Sequence, residues 1–190
     1  MKNLVKPIMF GAIVVALCAV VAAFAFPSKL SGSDNSASSA TEEAAIKWIS
    51  WEEAIKASEK QPKKIFVDVY TDWCGWCKQM DRTTFSDPKV VEVVNKNFYA
   101  VKFDAEGKND VSYGDRTFKF IASGSRGVHE LAYALLDGRM GYPSYVYLNE
   151  KQERITISPG YKPTEPFLKE LSFIIEEHYK TTSFDEYMKK

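Results

Sequence analysis

The chain has 190 residues, 45% hydrophobic and 26% charged, with 25 basic and 25 acidic side chains and a formal net charge of zero. That is ordinary globular usage on a length suited to one domain, and without an Arg/Lys run or basic stripe a nucleic-acid partner has no footing. Of three cysteines, Cys18 falls in the N-terminal stretch, and Cys74 and Cys77 are too few and too closely placed for a disulfide framework.

Lys2 and Lys6 precede an almost unbroken apolar run over residues 8–26, the charged-then-apolar order of a secretory signal. Its length also fits the roughly 17–25 residues of a membrane-spanning helix. Ala23-Phe24-Ala25 supplies a cleavage sequence, so signal peptide and membrane anchor are both open for residues 1–26. Either places the folded part outside the cytoplasm, in the periplasm or its equivalent, because the positive end stays inside. Membrane contact is confined to this segment. Cys18 reads as an apolar thiol within the run, since Leu17 stands where lipidated signals have a small residue. Residues 27–44 read as a flexible tether and residues 45–190 as one domain.

Alternation over residues 46–49 predicts a short strand, and Ser50 with Glu53 forms a capping box that opens a helix over 51–60. KIFVDVY at 64–70 is the strongest strand signal, dense in β-branched and aromatic side chains. It runs into Trp73-Cys-Gly-Trp-Cys77, after which residues 77–83 should be helical. Asp87 and Pro88 make an N-cap and N1 pair for a helix to about Asn97. A strand follows at 98–104. Val111–Tyr113 and residues 117–120 flank Gly114-Asp115 as a small hairpin, residues 122–127 read as loop, and 128–136 as helix, with His129 on its surface. Strands at 145–148 and 154–158 pair around a turn, and Thr164 with Pro166 starts a helix to about Tyr179. Strand–helix alternation closed by a hairpin and a helix describes an α/β fold with a mixed sheet.

Two cysteines separated by two residues close a loop too small to stabilise much, so their use is chemical. A thiolate is the attacking species in disulfide exchange, and it must be exposed and have a lowered pKa. At a strand-to-helix turn the first sulfur, Cys74, caps the helix, where free N–H groups and the dipole favour negative charge. The second, Cys77, lies one turn in and can resolve a mixed disulfide. Zinc would need two further ligands, and only His129 and His178 are on offer, far apart in sequence. No metal and no cofactor beyond the cysteine pair is expected.

The segment Val67-Asp-Val-Tyr-Thr-Asp-Trp-Cys-Gly-Trp-Cys-Lys78 resembles the active-site segment of the thioredoxin family. The resemblance covers about residues 46–179 apart from an insertion at about 106–127, placed before the helix that leads to the cis-proline. It implies a thioredoxin fold, a central mixed sheet flanked by helices. By this resemblance Asp68 is the buried carboxylate that moves protons to and from Cys77, and Lys102 is its neighbour. Tyr142-Pro143 is the cis-proline loop facing the disulfide, and Gly160 a late glycine of the fold. Cys77-Lys78 and Thr84-Phe-Ser-Asp-Pro-Lys-Val90 are similar to the C-terminal thioredoxin-like domain of the bacterial transmembrane thiol–disulfide reductase. That likeness implies protein disulfides as substrates and a membrane electron carrier as donor. Read from the residues alone, Asp68 in an apolar strand has a raised pKa, and a cis-Pro143 bares backbone for a substrate strand. Trp73, Gly75, Trp76, Tyr142 and Pro143 are the candidate substrate-contacting positions. Trp73 and Tyr70 either pack the site or fill core.

The chain departs from the family at Gly75-Trp76, where typical thioredoxin has Gly-Pro. This leaves reductase, oxidase and isomerase open. A non-catalytic thioredoxin-fold binding module using the insertion is the reading from another class.

Overall fold

A computed structural model describes residues 45–189; the signal or anchor with Cys18, and the tether, lie outside the described residues. Strand β1 (Trp48–Ile49) is shorter than the alternation predicts, and Ile46 packs into the core ahead of it. Helix α1 (Trp51–Lys60) opens on the foreseen capping box, with Ser50 and Glu53 each satisfying the other's backbone N–H. Strand β2 (Lys64–Tyr70) has the bounds that its β-branched run predicts. Helix α2 (Gly75–Arg82) begins two residues earlier than expected, because the Cys74 side chain already caps it. A 3-10 turn (Thr84–Ser86) leads into α3 (Pro88–Asn97), capped by Asp87, and then β3 (Phe98–Asp104).

The stretch after β3 departs from expectation. It forms two hairpins, β4 (Val111–Tyr113) with β5 (Arg116–Phe118) and β6 (Phe120–Ser123) with β7 (Arg126–His129). The expected loop at 122–127 is mostly strand; only Gly124 and Ser125 turn, with Gly124 at φ 59°. The helix expected from Val128 starts at Glu130 as α4 (Glu130–Leu135), because Val128 and His129 are spent pairing with Ile121 and Phe120. His129 is no surface residue: it is 1% exposed and its ring caps α4. Strands β8 (Ser144–Leu148) and β9 (Arg154–Pro159) pair as expected. Helix α5 (Thr164–Ile175) stops short of Tyr179, at a Glu177 in left-handed conformation, and a 3-10 turn and α6 (Phe184–Met188) follow.

The five-stranded sheet has order β1-β3-β2-β8-β9, parallel across its first three strands and antiparallel across the last two. Alternate side chains point to opposite faces. Val67, Val69, Val101 and Val146 meet α1 and α4 on one face, while Phe66, Tyr145 and Tyr147 meet α2, α3 and α5 on the other. Because β2 and β3 run parallel and β8 opposes them, one end of the sheet collects three exits. The CxxC follows β2, the hairpins follow β3, and Tyr142-Pro143 enters β8. At that end Ala105 N–H donates to the Tyr70 carbonyl at 2.8 Å.

Candidate active site

The turn after β2 is closed by Cys74 N–H donating to the Thr71 carbonyl at 3.1 Å. Cys74 is the N-cap of α2, and its Sγ accepts the Cys77 N–H at 3.0 Å. Sulfur therefore takes one of the donors that every helix start leaves unpaired. The two sulfurs are joined as a disulfide. Cys74 is only 4% exposed and Cys77 3%, so the first sulfur is less open than expected. It is bonded to Cys77 Sγ over the first turn of α2. Trp73 and Trp76 are 51% and 62% exposed, so Trp73 belongs to the site surface and not to the core. A Cβ at Gly75 would meet no heavy atom within 4 Å, which leaves the backbone between the sulfurs approachable.

The Tyr142–Pro143 bond is cis, and Tyr142 meets Trp73 edge-on at 5.9 Å. Burial, with Glu106 and Asp104 nearby, pushes the Tyr142 phenol up to about 12. The Pro143 carbonyl accepts from Gly160 N–H at 2.8 Å, and Gly160 takes φ 90°, a conformation that favours glycine. From there the chain returns to the helix of the cysteines. Tyr161 stacks on Trp76 at 5.3 Å, Lys162 N–H donates to Met80 Sδ, and Thr84 Oγ1 donates to the Lys162 carbonyl at 2.6 Å. The proline loop and α2 are thus tied through residues 160–162.

That tie has a buried anchor that the sequence reading missed. Glu170, 1% exposed on α5, accepts from Tyr147 Oη at 2.7 Å and Ser158 Oγ at 2.8 Å, with Lys162 Nζ at 3.5 Å. Burial pushes the Lys162 ammonium down, against the pull of Glu170. Glu170→Gln is expected to cost about 2 kcal/mol, because the amide leaves Lys162 without its carboxylate and presents N–H to hydroxyl donors. Urea unfolding midpoints measure it.

Beneath α2 lies the charged trio. Asp68 is 1% exposed, which excludes a solvent-facing strand residue. Its register neighbours are Lys102 on β3 and Tyr145 on β8. Lys102 Nζ donates to Asp68 Oδ2 at 3.0 Å and also to Asp81 Oδ1. Asp68 Oδ1 has no hydrogen-bond partner. Burial raises the Asp68 carboxyl to about 6, against the lowering pull of Lys102. Burial alone would lower the Lys102 ammonium, but Asp68 and Asp81 outweigh it and hold it above its ordinary value. Asp81 was not anticipated; its signal was a place four residues after Cys77, on the same helix face. Among the described residues no group of three or more His, Cys, Asp or Glu side chains could hold a metal ion.

Comparison with known proteins agrees with this geometry. The Thioredox_DsbH family model, described as a protein of unknown function, DUF255, matches residues 28–182. The chain is 31% identical over 83 residues to spermatogenesis-associated protein 20 of Rattus norvegicus, covering 43% of this chain and 10% of that one. Over 49 residues it is 35% identical to thiol:disulfide interchange protein DsbD of Pseudoalteromonas atlantica, covering 26% of this chain and 8% of that one. The chain therefore spans about a tenth of the length of these curated relatives. Among solved structures it is similar to a DsbH oxidoreductase, with TM-score 0.53 and 15% identity over 77% of this chain and 95% of that one. A thioredoxin from Thermus thermophilus gives TM-score 0.52 and 22% identity, over 68% and 87%. A putative disulphide-isomerase from Bacteroides thetaiotaomicron gives 0.50 and 26%, over 70% and 93%. The fold is the thioredoxin fold.

Proposed function

The chain belongs to the Thioredox_DsbH family of thioredoxin-like proteins, and on that premise we propose that it is an extracytoplasmic thiol–disulfide oxidoreductase that reduces protein disulfides. The observation that carries the reading is Cys74 Sγ seated at the N-terminus of α2, accepting the Cys77 N–H. Once the pair is reduced, the same N–H and the helix dipole stabilise a Cys74 thiolate. That thiolate attacks one sulfur of a substrate disulfide, forming Cys74–S–S–substrate and expelling the other substrate sulfur as thiolate. Cys77, giving its proton to Asp68, attacks Cys74 Sγ and releases the second substrate thiol. The Cys74–Cys77 disulfide remains, and two electrons have passed to substrate. Trp73, Gly75, Trp76, Tyr142 and Pro143 are the surface on which the substrate lies. The partners are polypeptides with accessible disulfides and, for re-reduction, an electron carrier in the membrane. Residues 8–26 supply export or anchoring; among the described residues no helix is long and apolar enough to cross a membrane.

The redox equilibrium of the full-length chain against glutathione tests the direction. A midpoint near the roughly −270 mV of thioredoxin supports reduction, whereas one near about −120 mV assigns an oxidase. Failure to reduce insulin's interchain disulfides by the pre-reduced chain favours a binding module.

A further inference from the structure

The exchange chemistry makes no use of the two hairpins between β3 and α4, yet the second ends beside the dithiol. Its base is fixed to the core. His129 N–H donates to the Ala105 carbonyl at 2.7 Å, and its ring meets Phe103 edge-on at 5.2 Å. Nδ1 accepts from Leu131 N–H at 3.1 Å, so the ring proton sits on Nε2, which donates to the Asn109 carbonyl at 3.0 Å. The arm itself is closed tightly. A Cβ at Gly127 would come 2.3 Å from the Phe120 ring and 2.4 Å from the Ile121 carbonyl oxygen, so only glycine lets the strands lie this close.

Arg126, the first residue after the turn, reaches back across Trp73 with its guanidinium carbon 4.5 Å from the ring centroid. Trp73 is then held on three sides: by the Tyr142 edge, by Glu106 accepting from Nε1 at 3.1 Å, and by Arg126 on its face. Stacking fixes a guanidinium while leaving its in-plane N–H donors pointing outward. Arg126 is exposed, and no acceptor among the described residues takes those donors. Glu106 differs: it is partly buried, and one oxygen is engaged by Trp73. The side chain nearest the attacking cysteine in sequence therefore carries an immobilised cation with free, forked donors.

We propose that Arg126 is a specificity-determining residue that receives a carboxylate of the substrate polypeptide close to its disulfide. The inference rests on the exchange reading above. A substrate strand lying along Tyr142-Pro143 passes the Trp73 ring, and an Asp or Glu side chain there meets the fork in the geometry of a bidentate, charge-assisted pair. The insertion thus selects acidic cystine-containing segments and disfavours basic ones.

The test uses the full-length chain and two synthetic peptides with the same intramolecular disulfide, flanked by Asp in one and Lys in the other. Wild type should show a kcat/KM about 10-fold higher for the Asp peptide, mostly through KM, as one good charge-assisted pair gives. Arg126→Glu should reverse the order. Arg126→Lys, which keeps the charge and loses the fork, should keep the order with a smaller ratio. Lys151→Glu makes the same charge change in the turn at the far end of the sheet and should keep the wild-type ratio. An unchanged ratio in Arg126→Glu overturns the proposal, as does wild type reducing both peptides equally while remaining active on hydroxyethyl disulfide. If wild type reduces neither peptide nor that small disulfide, the exchange reading itself has failed and the Arg126 assignment falls with it.

Discussion

Cys77→Ser is expected to halt turnover at a covalent mixed disulfide through Cys74, and Cys74→Ser to be inert, each with at least about 10³-fold loss of dithiol-dependent reduction. The asymmetry follows from position. Cys74 caps α2 and receives the Cys77 N–H at 3.0 Å, so its negative charge is stabilised and the first attack is assigned to it. The two are about equally buried as a disulfide, so it is the place of Cys77 inside the first turn, beyond the Cys74 cap, that assigns it the second attack, on Cys74 Sγ. With serine at 77 the first exchange proceeds and the second cannot. Mass spectrometry under non-reducing conditions, after mixing reduced Cys77→Ser chain with insulin, should find an adduct that dithiothreitol releases. Adduct formation through Cys77 in the Cys74→Ser chain, or full activity in both variants, would reverse the order of attack or remove the mechanism.

The elements that the sequence announces are those whose local signals agree with their burial. The capping box at Ser50, the β-branched run at 64–70 and the Asp87-Pro88 start each mark an end that tertiary packing leaves in place. The second hairpin has no such signal. Its first strand is mostly exposed and its second mostly half-buried, so neither alternation nor hydrophobic density marks them. Their pairing comes instead from a two-residue turn and from His129 tying the base to β3. His129 itself looked like a surface histidine because its burial depends on partners distant in sequence, the Asn109 carbonyl for the ring and the Ala105 carbonyl for the backbone N–H. The same holds for the site. Cys74, Cys77, Asp68, Lys102 and Pro143 lie in segments whose order the family resemblance supplies. Glu106, Arg126 and Glu170 are ordinary exposed-type charges until the fold places them, so no local pattern could single them out, and Asp81 had only its helical spacing from Cys77.

Asp68→Asn is expected to make the protein more stable and less active, the two effects having one origin. The carboxyl titrates near 6 in the fold against an ordinary value of 3.8, burial being the main cause. Between those values the folded chain binds more protons than the unfolded one, so stability falls as pH rises from about 4 to 6. Above pH 6 the penalty is fully present, about 3 kcal/mol for a shift of this size; below the ordinary value it vanishes. Asparagine keeps the volume and removes the penalty, while Lys102 retains Asp81 as partner. At pH 7.5 the variant should therefore melt about 5–10 °C higher than wild type, and near pH 3.5 the gain should disappear. The rate moves the other way. A base ionised only above about 6 gives wild type a rising limb of activity through that pH, and its loss slows release of the mixed disulfide about 100-fold. Stopped-flow measurement of mixed-disulfide decay across pH 4.5–8 reads this limb directly. If it persists unchanged in Asp68→Asn, another group takes the Cys77 proton. If the variant melts lower at pH 7.5, the buried carboxylate is not the strained group that its position between Lys102 and Tyr145 makes it.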